Sequence, residues 1–197
     1  MEKLTYKIAA FLAETGHIPK ADTELCRYGI ELFIISVFEI AAVLVLSLFV
    51  GNFKETVLFL LSFLPVRIYA GGYHADTRIK CFLILIFVYI LFSVVLYNEF
   101  LMRYQYCMAA AAALNTLCVF FWAPVSGKKM TEREQKFYRR IGIAFASAEL
   151  LIIAASCLFG FYGRYIYIAA LGAFTALASL AAAKLKNVLR GRLSARG

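Results

Sequence analysis

The chain has 197 residues, 63% of them hydrophobic, and a formal net charge of +9. A soluble domain carries about 45–50% apolar residues, so this composition excludes an ordinary water-soluble domain. The 21 basic and 12 acidic residues lie mostly between long apolar blocks, which is the pattern of membrane spans joined by polar connections. Basic residues beside such blocks set topology and meet anionic lipid headgroups. We therefore expect a lipid bilayer as partner and no nucleic acid.

The first 28 residues form an amphipathic region. Leu4, Ile8, Phe11 and Leu12 recur at helical spacing and do not form the continuous apolar block of a signal peptide. This spacing predicts a helix that lies on the membrane surface.

Uncharged or nearly uncharged stretches predict six spans of roughly 17–20 residues, close to the length that crosses a bilayer. They are residues 32–50, 53–69, 81–97, 106–123, 141–160 and 165–183. The second stretch is the least regular, because only eleven residues separate Glu55 from Arg67 and Pro65 lies among them. Its sequence allows a tilted span, a kinked span or a re-entrant segment.

These features predict an all-α integral membrane protein, a polytopic bundle of about six transmembrane helices with an N-terminal amphipathic interfacial helix. No linker-like stretch divides the chain. We expect one domain over 1–197, with an amphipathic region at 1–28, the bundle at 29–184 and a basic cytoplasmic tail at 185–197. Six crossings of the cell membrane put both termini and 18 basic residues in the cytoplasm, and they leave three outside: Lys54, Arg103 and Arg164.

The five cysteines include no CxxC pair, and no secretory signal accompanies them, so we expect no disulfide framework. Four of them are interpreted as packing residues: Cys26, Cys107, Cys118 and Cys157. Two stretches rich in small residues, 108–113 and 169–183, are typical of helices that approach closely in lipid. We interpret them as ordinary bundle packing.

The residues that carry chemistry lie in LPVRIYAGGYHADTRIKC, residues 64–81, which connects the second and third spans. This cytoplasmic connection contains His74, a glycine pair, and Cys81 at the mouth of the next span. The thiolate is the nucleophilic form of cysteine, and a free thiol has a pKa near 8.5. A neighbouring imidazole can take the thiol proton, so we interpret His74 and Cys81 as a candidate catalytic pair.

The spacing of the pair restricts its geometry. We expect Asp76 or Thr77 to be the N-cap of the third span, which places Cys81 in or just past the first turn, where the helix dipole favours a thiolate. In one straight helix, positions 74 and 81 would lie about 10.5 Å apart along the axis, too far for a base to act. The chain must therefore fold back between His74 and Thr77. The Gly71-Gly72 pair supplies backbone freedom and amides for an oxyanion.

The pattern Arg67-x-x-x-Gly71-Gly72-x-His74, followed by Cys81, resembles the accessory gene regulator B (AgrB) family. The resemblance extends over most of the chain and includes a basic loop after Ala123-Pro124. It implies a membrane cysteine endopeptidase of Gram-positive quorum sensing that cuts a short AgrD-like precursor peptide. In that family His74 would be the general base and Cys81 the nucleophile, with Arg67 and the glycine pair as supporting residues. The resemblance also implies a homodimer. We expect no cofactor.

The resemblance implies a two-stage reaction. Cys81 attacks a carbonyl of the precursor and expels its C-terminal tail, which leaves an acyl-enzyme thioester. A Cys or Ser side chain of the bound peptide then takes the acyl group and closes a thiolactone or lactone ring. Exclusion of water favours ring closure over hydrolysis, and a site at the membrane face meets that demand.

Two carboxylates, Glu39 and Glu149, lie inside spans, where an ionised side chain is costly and suggests function. Counted from the cytoplasmic ends of their spans, they lie at similar depths, about 10.5 and 12 Å, and could line one cavity. We therefore expect one of them to orient His74 or to bind the peptide; structural pairing or a protonated carboxyl is an equal alternative. Asp76 is another candidate to orient His74. The rival function is a small-solute or peptide transporter that uses Glu39 and Glu149.

The loop at 128–136 is strongly basic. It is interpreted either as a solvated topology determinant or as an electrostatic contact for an acidic peptide tail, through Lys128, Lys129, Arg133 and Lys136. Metal catalysis is not expected, because the chain has only two histidines and no HExxH motif.

Overall fold

The computed structural model describes residues 2–16, 23–73, 77–98, 105–125, 131–161 and 163–194. Within these ranges the chain forms seven helices. They are α1 (Glu2–Glu14), α2 (Thr23–Val50), α3 (Phe53–Ala70), α4 (Arg78–Leu96), α5 (Gln105–Trp122), α6 (Glu132–Leu158) and α7 (Arg164–Ser194). The described ranges contain no β-strand, only an isolated parallel bridge between Gly71 and Val125. The all-α prediction is confirmed for this part of the chain.

The chain divides into two compact units, Met1–Gly51 and Asn52–Gly197. In the first unit, α1 packs on α2. The helix predicted near the N-terminus is therefore present, and its Tyr6 and Phe11 side chains are exposed. Such exposed apolar side chains suit a membrane surface. The interfacial position of α1 and the single domain over 1–197 stay predictions.

Successive helices of the second unit run in opposite directions. α3 and α4 are antiparallel, because Asn52 before α3 binds Tyr89 and Ser93 near the end of α4. α6 is antiparallel to α3, because a side chain at Gly142, near its start, would come within 3.2 Å of the backbone of Ala70 at the end of α3.

α5 and α7 run in the same direction as α3. The backbone N–H of Val125, just after α5, donates to the carbonyl of Ala70 at 2.9 Å. Arg164 at the start of α7 pairs with Glu55 at the start of α3 at 3.2 Å. The ends of α3 and α5, the second half of α7 and the starts of α4 and α6 therefore share one end of the unit, which we call the loop end.

Most basic residues of the second unit belong to the loop end. Arg67 lies in the last turn of α3 and Lys80 in the first turn of α4. The remaining members of this group are in the first turns of α6 and in the last part of α7: Arg133, Lys136, Arg139, Arg140, Lys184 and Lys186. The opposite end has Lys54 and Arg164 near the starts of α3 and α7.

The helix α7 forms the centre of the second unit, packing on α3, α5 and α6. Its buried residues include the small Ala170, Ala173 and Ala176 beside larger side chains such as Tyr167 and Ile168. A side chain at Gly172 would collide with Ser62 of α3, so the two backbones approach closely. Small residues permit such approach in lipid, which confirms the packing role expected for 169–183.

The described helices include four that are long and apolar enough to cross a membrane, at Gly29–Val50, Ile79–Leu96, Glu132–Leu158 and Arg164–Leu189. The apolar part of α5, Ala109–Trp122, is shorter. The 18 residues of α3 carry three charges, which weakens it as a span. A polytopic membrane protein is thus supported, and the count of six spans is not confirmed.

Two helices extend beyond the predicted spans at the loop end. α6 begins at Glu132 and not near residue 141, because Thr131 and Glu134 form a capping box that starts the helix in polar sequence. α7 continues to Ser194 through most of the predicted tail. Hydropathy marks the apolar part of a helix and says little about where its hydrogen bonding ends.

Candidate active site

Cys81 lies at the end of the first turn of α4. Thr77 is the N-cap of this helix: its backbone is extended, and its side chain accepts a hydrogen bond from the Lys80 N–H at 3.4 Å. The Cys81 N–H donates to the Thr77 carbonyl at 3.1 Å, which is the first hydrogen bond of the helix. The thiol is free and half-buried. The thiol therefore lies near the N-terminus of α4, next to Lys80 in the chain.

The end of α3 requires its glycine pair. Gly71 has φ +87° and ψ 171°, a region essentially restricted to glycine. It forms the bridge to Val125, and a side chain there would collide with the Val125 carbonyl. Gly72 is buried, and a Cβ on it would lie 2.7 Å from Ser179 Oγ and 3.1 Å from the side chain of Arg67. The pair thus brings the loop against α7 and the segment after α5.

Tyr73 is fixed through both of its backbone polar groups. Its N–H donates to the carbonyl oxygen and to Oγ of Ser179 in α7, each at 3.1 Å. Its carbonyl accepts a hydrogen bond from Arg67 Nη2 at 3.3 Å. The Arg67 guanidinium also lies over the Phe63 ring at 5.4 Å, and Lys186 Nζ lies 5.0 Å from the centre of the Tyr73 ring. We call the contacts of Arg67, Tyr73 and Ser179 the Tyr73 clamp.

His74 and Asp76 lie outside the described residues, so the distance from His74 to Cys81 stays a prediction. Their flanking residues are described. α3 ends at Ala70, α4 begins at Arg78, and the two helices are antiparallel. The fold-back predicted between His74 and Thr77 falls on residues outside the described ranges and stays a prediction.

A cavity of about 210 Å³ lies between α3, α4 and α7 at the loop end. Arg67, Tyr73 and Ser179 line it together with apolar side chains of the three helices. On α4, its lining residues Ile84, Leu85 and Val88 follow Cys81 by three, four and seven positions, so they share one helix face with the thiol.

The two span carboxylates belong to different units. Glu149 accepts a hydrogen bond from Ser62 Oγ, and Ser62 also contacts the Ala169 carbonyl at 3.1 Å. Ser62 precedes Ala70 by eight residues, or about 12 Å along α3, so Glu149 lies well below the level of the glycine pair. These contacts favour the structural alternative for Glu149. Glu39 is half-buried in α2, and its sharing of a cavity with Glu149 stays a prediction.

The basic loop is described only in part. Lys128 and Lys129 lie outside the described residues, whereas Arg133 and Lys136 are exposed on the first turns of α6. Both are therefore accessible to a charged ligand. Within the described ranges, no group of three or more His, Cys, Asp or Glu side chains is arranged to hold a metal ion.

Several residues of this site gave no signal in the sequence. Ser179 and Val125 come to the glycine pair only through folding, from about 107 and 54 positions away along the chain.

Antiparallel apolar helices, with a glycine-dependent loop and a half-buried thiol at one end, define a helical membrane protein with a candidate thiol site at the loop end. The family model described as Accessory gene regulator B matches residues 5–181, and the chain belongs to this family. Membership implies involvement in quorum-sensing peptide processing by the accessory gene regulator system, and a relationship with an AgrD-like precursor peptide.

Curated relatives agree with this family. The chain is 25% identical over 161 residues to an AgrB-like protein of Clostridium acetobutylicum, which covers 77% of this chain and 75% of the relative. It is 22% identical over 162 residues to accessory gene regulator protein B of Staphylococcus aureus, covering 81% and 84%. An AgrB-like protein of Listeria monocytogenes is 29% identical over 104 residues, covering 53% and 50%. No solved structure matches the chain.

Proposed function

We propose that the chain is a membrane cysteine endopeptidase that removes the C-terminal tail of a short AgrD-like precursor and promotes its cyclisation. The observation that carries this proposal is the placement of Cys81. Cys81 lies half-buried in the first turn of α4. Tyr73, which directly precedes His74 in the chain, is fixed by the Tyr73 clamp. A general base close to a cysteine can take the thiol proton and so make the sulfur nucleophilic.

His74 is the proposed base. It takes the proton of the Cys81 thiol, and the thiolate attacks the carbonyl carbon of the scissile peptide bond. The C–N bond breaks, the proton passes from the imidazolium to the departing amine of the tail, and an acyl thioester forms on Cys81. The backbone amides of Gly71 and Gly72 are the proposed donors to the oxyanion. Thr77 fixes the start of α4, and Asp76 is a candidate to orient the imidazole.

Ring closure completes the reaction. A Cys or Ser side chain of the bound peptide gives its proton to His74 and attacks the thioester carbonyl. The bond to Cys81 sulfur breaks, and the released thiolate regains a proton, so the enzyme returns to its initial state. Exchange of one thioester for another is nearly isoenergetic, and exclusion of water from the membrane face favours the ring over the hydrolysed peptide.

The proposed location is the cell membrane, with several spans, both termini in the cytoplasm and the site on the cytoplasmic side. The basic residues at the loop end support this orientation, since positive residues of short loops stay in the cytoplasm. We further propose a homodimer, in keeping with the family resemblance of the sequence.

The test is tail release by the full chain in lipid vesicles with a synthetic AgrD-like precursor. We expect Cys81→Ala to abolish release, and Cys157→Ala, which removes another half-buried thiol, to leave it unchanged. Cys81→Ser should retain little activity, since a hydroxyl is a far weaker nucleophile at neutral pH. Full release by Cys81→Ala would refute the proposal.

One observation favours the rival function, a small-solute or peptide transporter. Within the described part of the chain, Glu149 Oε2 is buried and has no hydrogen-bond partner, and unpaired polar atoms within a membrane mark functional candidates. A transporter that uses Glu39 and Glu149 would tolerate Cys81→Ser and fail with Glu→Gln at either carboxylate. The peptidase requires the opposite result at Cys81.

A further inference from the structure

The cavity between α3, α4 and α7 is not used by the chemistry proposed for His74 and Cys81. We infer that it is a specificity pocket that receives one bulky apolar side chain of the precursor, from a residue that flanks the scissile peptide bond. This inference rests on the proposed peptidase function and adds to it the part of the substrate that the enzyme reads.

The first argument is position. Ile84, Leu85 and Val88 line the cavity and lie on the same face of α4 as Cys81. Ile84 and Leu85 are about one helical turn from Cys81, or roughly 5 Å along the axis. A peptide whose carbonyl lies at the thiol would therefore place the adjacent side chain at the mouth of this cavity.

The second argument is chemistry. Most of the lining is apolar: Phe63 from α3, Ile84, Leu85 and Val88 from α4, and Ala178 and Ala182 from α7. Thr175 of α7 also lines the cavity, and its hydroxyl is satisfied because it donates to the Leu171 carbonyl at 2.8 Å. The other polar lining residues, Arg67, Tyr73 and Ser179, form the Tyr73 clamp at the loop end. Such a cavity favours an apolar group inside and leaves polar peptide backbone at its mouth.

The third argument is size. Pockets that enclose a whole small ligand have volumes of about 300–1,000 Å³. The cavity, at about 210 Å³, is smaller than these. This volume accommodates one large side chain and excludes a folded peptide, so the cavity would bind a single residue of the substrate.

Ala178 and Ala182 make the inference testable. Both side chains are exposed on the cavity wall, so a larger residue can extend into the cavity without displacing a buried neighbour. Ala178→Leu fills the cavity. Ala181→Leu is the matched control, because Ala181 is equally exposed on α7 and does not line the cavity.

The experiment measures kcat/KM for tail release by the full chain in vesicles. The substrates are synthetic precursors with Leu or Ala at the residue before the scissile bond, and a second set varied at the residue after it. Wild type and Ala181→Leu should prefer Leu at one of these positions by at least tenfold, the scale of hydrophobic pocket discrimination. Ala178→Leu should lose that preference, because cleavage of the Leu substrate slows more than cleavage of the Ala substrate. The substrate set in which this preference appears identifies whether the pocket binds the side chain before or after the scissile bond.

Other outcomes separate the two proposals. Equal cleavage of Leu and Ala substrates by wild type, or a Leu preference that survives Ala178→Leu, would overturn the pocket while the peptidase stands; the cavity would then be a packing space or hold a lipid chain. Tail release that persists in Cys81→Ala would overturn the peptidase, and with it the pocket.

Discussion

The backbone N–H of Tyr73 donates to both the carbonyl oxygen and the hydroxyl of Ser179, each at 3.1 Å. Through this contact α7 fixes the residue that directly precedes His74. The carbonyl of Tyr73 is held at the same time by Arg67. The position of Tyr73 therefore depends on a helix that is remote in sequence.

The Tyr73 clamp predicts a strong effect at Arg67. Arg67→Met keeps the apolar stem of the side chain and removes the hydrogen bond to Tyr73, which is worth about 1.5–3 kcal/mol for a charged donor. We expect kcat for tail release to fall by roughly tenfold or more, because Tyr73, the residue before His74, loses one of its backbone contacts.

Arg139 offers a matched control for this variant. It donates to the Phe120 carbonyl at 2.9 Å and lies over the Phe120 ring at 5.5 Å, the same two kinds of contact that Arg67 makes. Arg139→Met should therefore leave kcat near the wild-type value. Equal losses in the two variants would mean that Arg67 contributes only to general stability.

Gly71 should not tolerate a side chain. Gly71→Ala places a Cβ against the Val125 carbonyl and forces alanine into a backbone conformation with positive φ that favours glycine. The backbone strain alone costs about 1–3 kcal/mol. We expect a lower thermal unfolding temperature in detergent and loss of tail release. Gly163→Ala is the control, since a Cβ there meets nothing within 4 Å. A fully active Gly71→Ala protein would contradict the described bridge to Val125.

Glu149 is predicted to be dispensable for cleavage. Its contact with Ser62 lies about 12 Å along α3 from the loop end, and a Gln side chain can still accept the Ser62 hydrogen bond. Glu149→Gln should therefore release the tail at the wild-type rate, within about twofold, with a stability change of about 1 kcal/mol or less. Abolished cleavage in a folded protein would place the carboxylate in the reaction.

The basic start of α6 is predicted to attract an acidic precursor tail. Charge reversal at the exposed Arg133 and Lys136 should raise the dissociation constant for such a precursor at low salt, and the effect should shrink as ionic strength increases. Lys54→Glu, at the opposite end of the unit, is the control. If binding is unchanged in the Arg133→Glu, Lys136→Glu double variant, the loop sets topology alone.

Much of the fold follows from local sequence patterns. Apolar blocks indicate the positions of the helices. The sequence predicts Asp76 or Thr77 as the N-cap of α4, because a short polar side chain before an apolar block can satisfy a free backbone N–H, and Thr77 is the N-cap in the structure. Helix lengths were less predictable. The capping box of Thr131 and Glu134 starts α6 in charged sequence, where hydropathy gives no signal.

The site was predictable only where its residues are close in the chain. Gly71, Gly72 and Cys81 stand out in one stretch, whereas Ser179 reaches that stretch through helix packing. Nothing about a serine within an alanine-rich helix distinguishes a loop contact from ordinary packing. The contact depends on the helix directions, because these bring the ends of α3 and α5 next to the middle of α7.

The most direct test of the account is the intact mass of the protein after rapid mixing with precursor and acid quenching. The account predicts an added mass equal to the precursor without its tail, carried by Cys81, released by hydroxylamine, and absent from Cys81→Ala and His74→Ala. The account would be contradicted if the wild-type protein released the tail without forming this adduct and Cys81→Ala released the tail at the same rate.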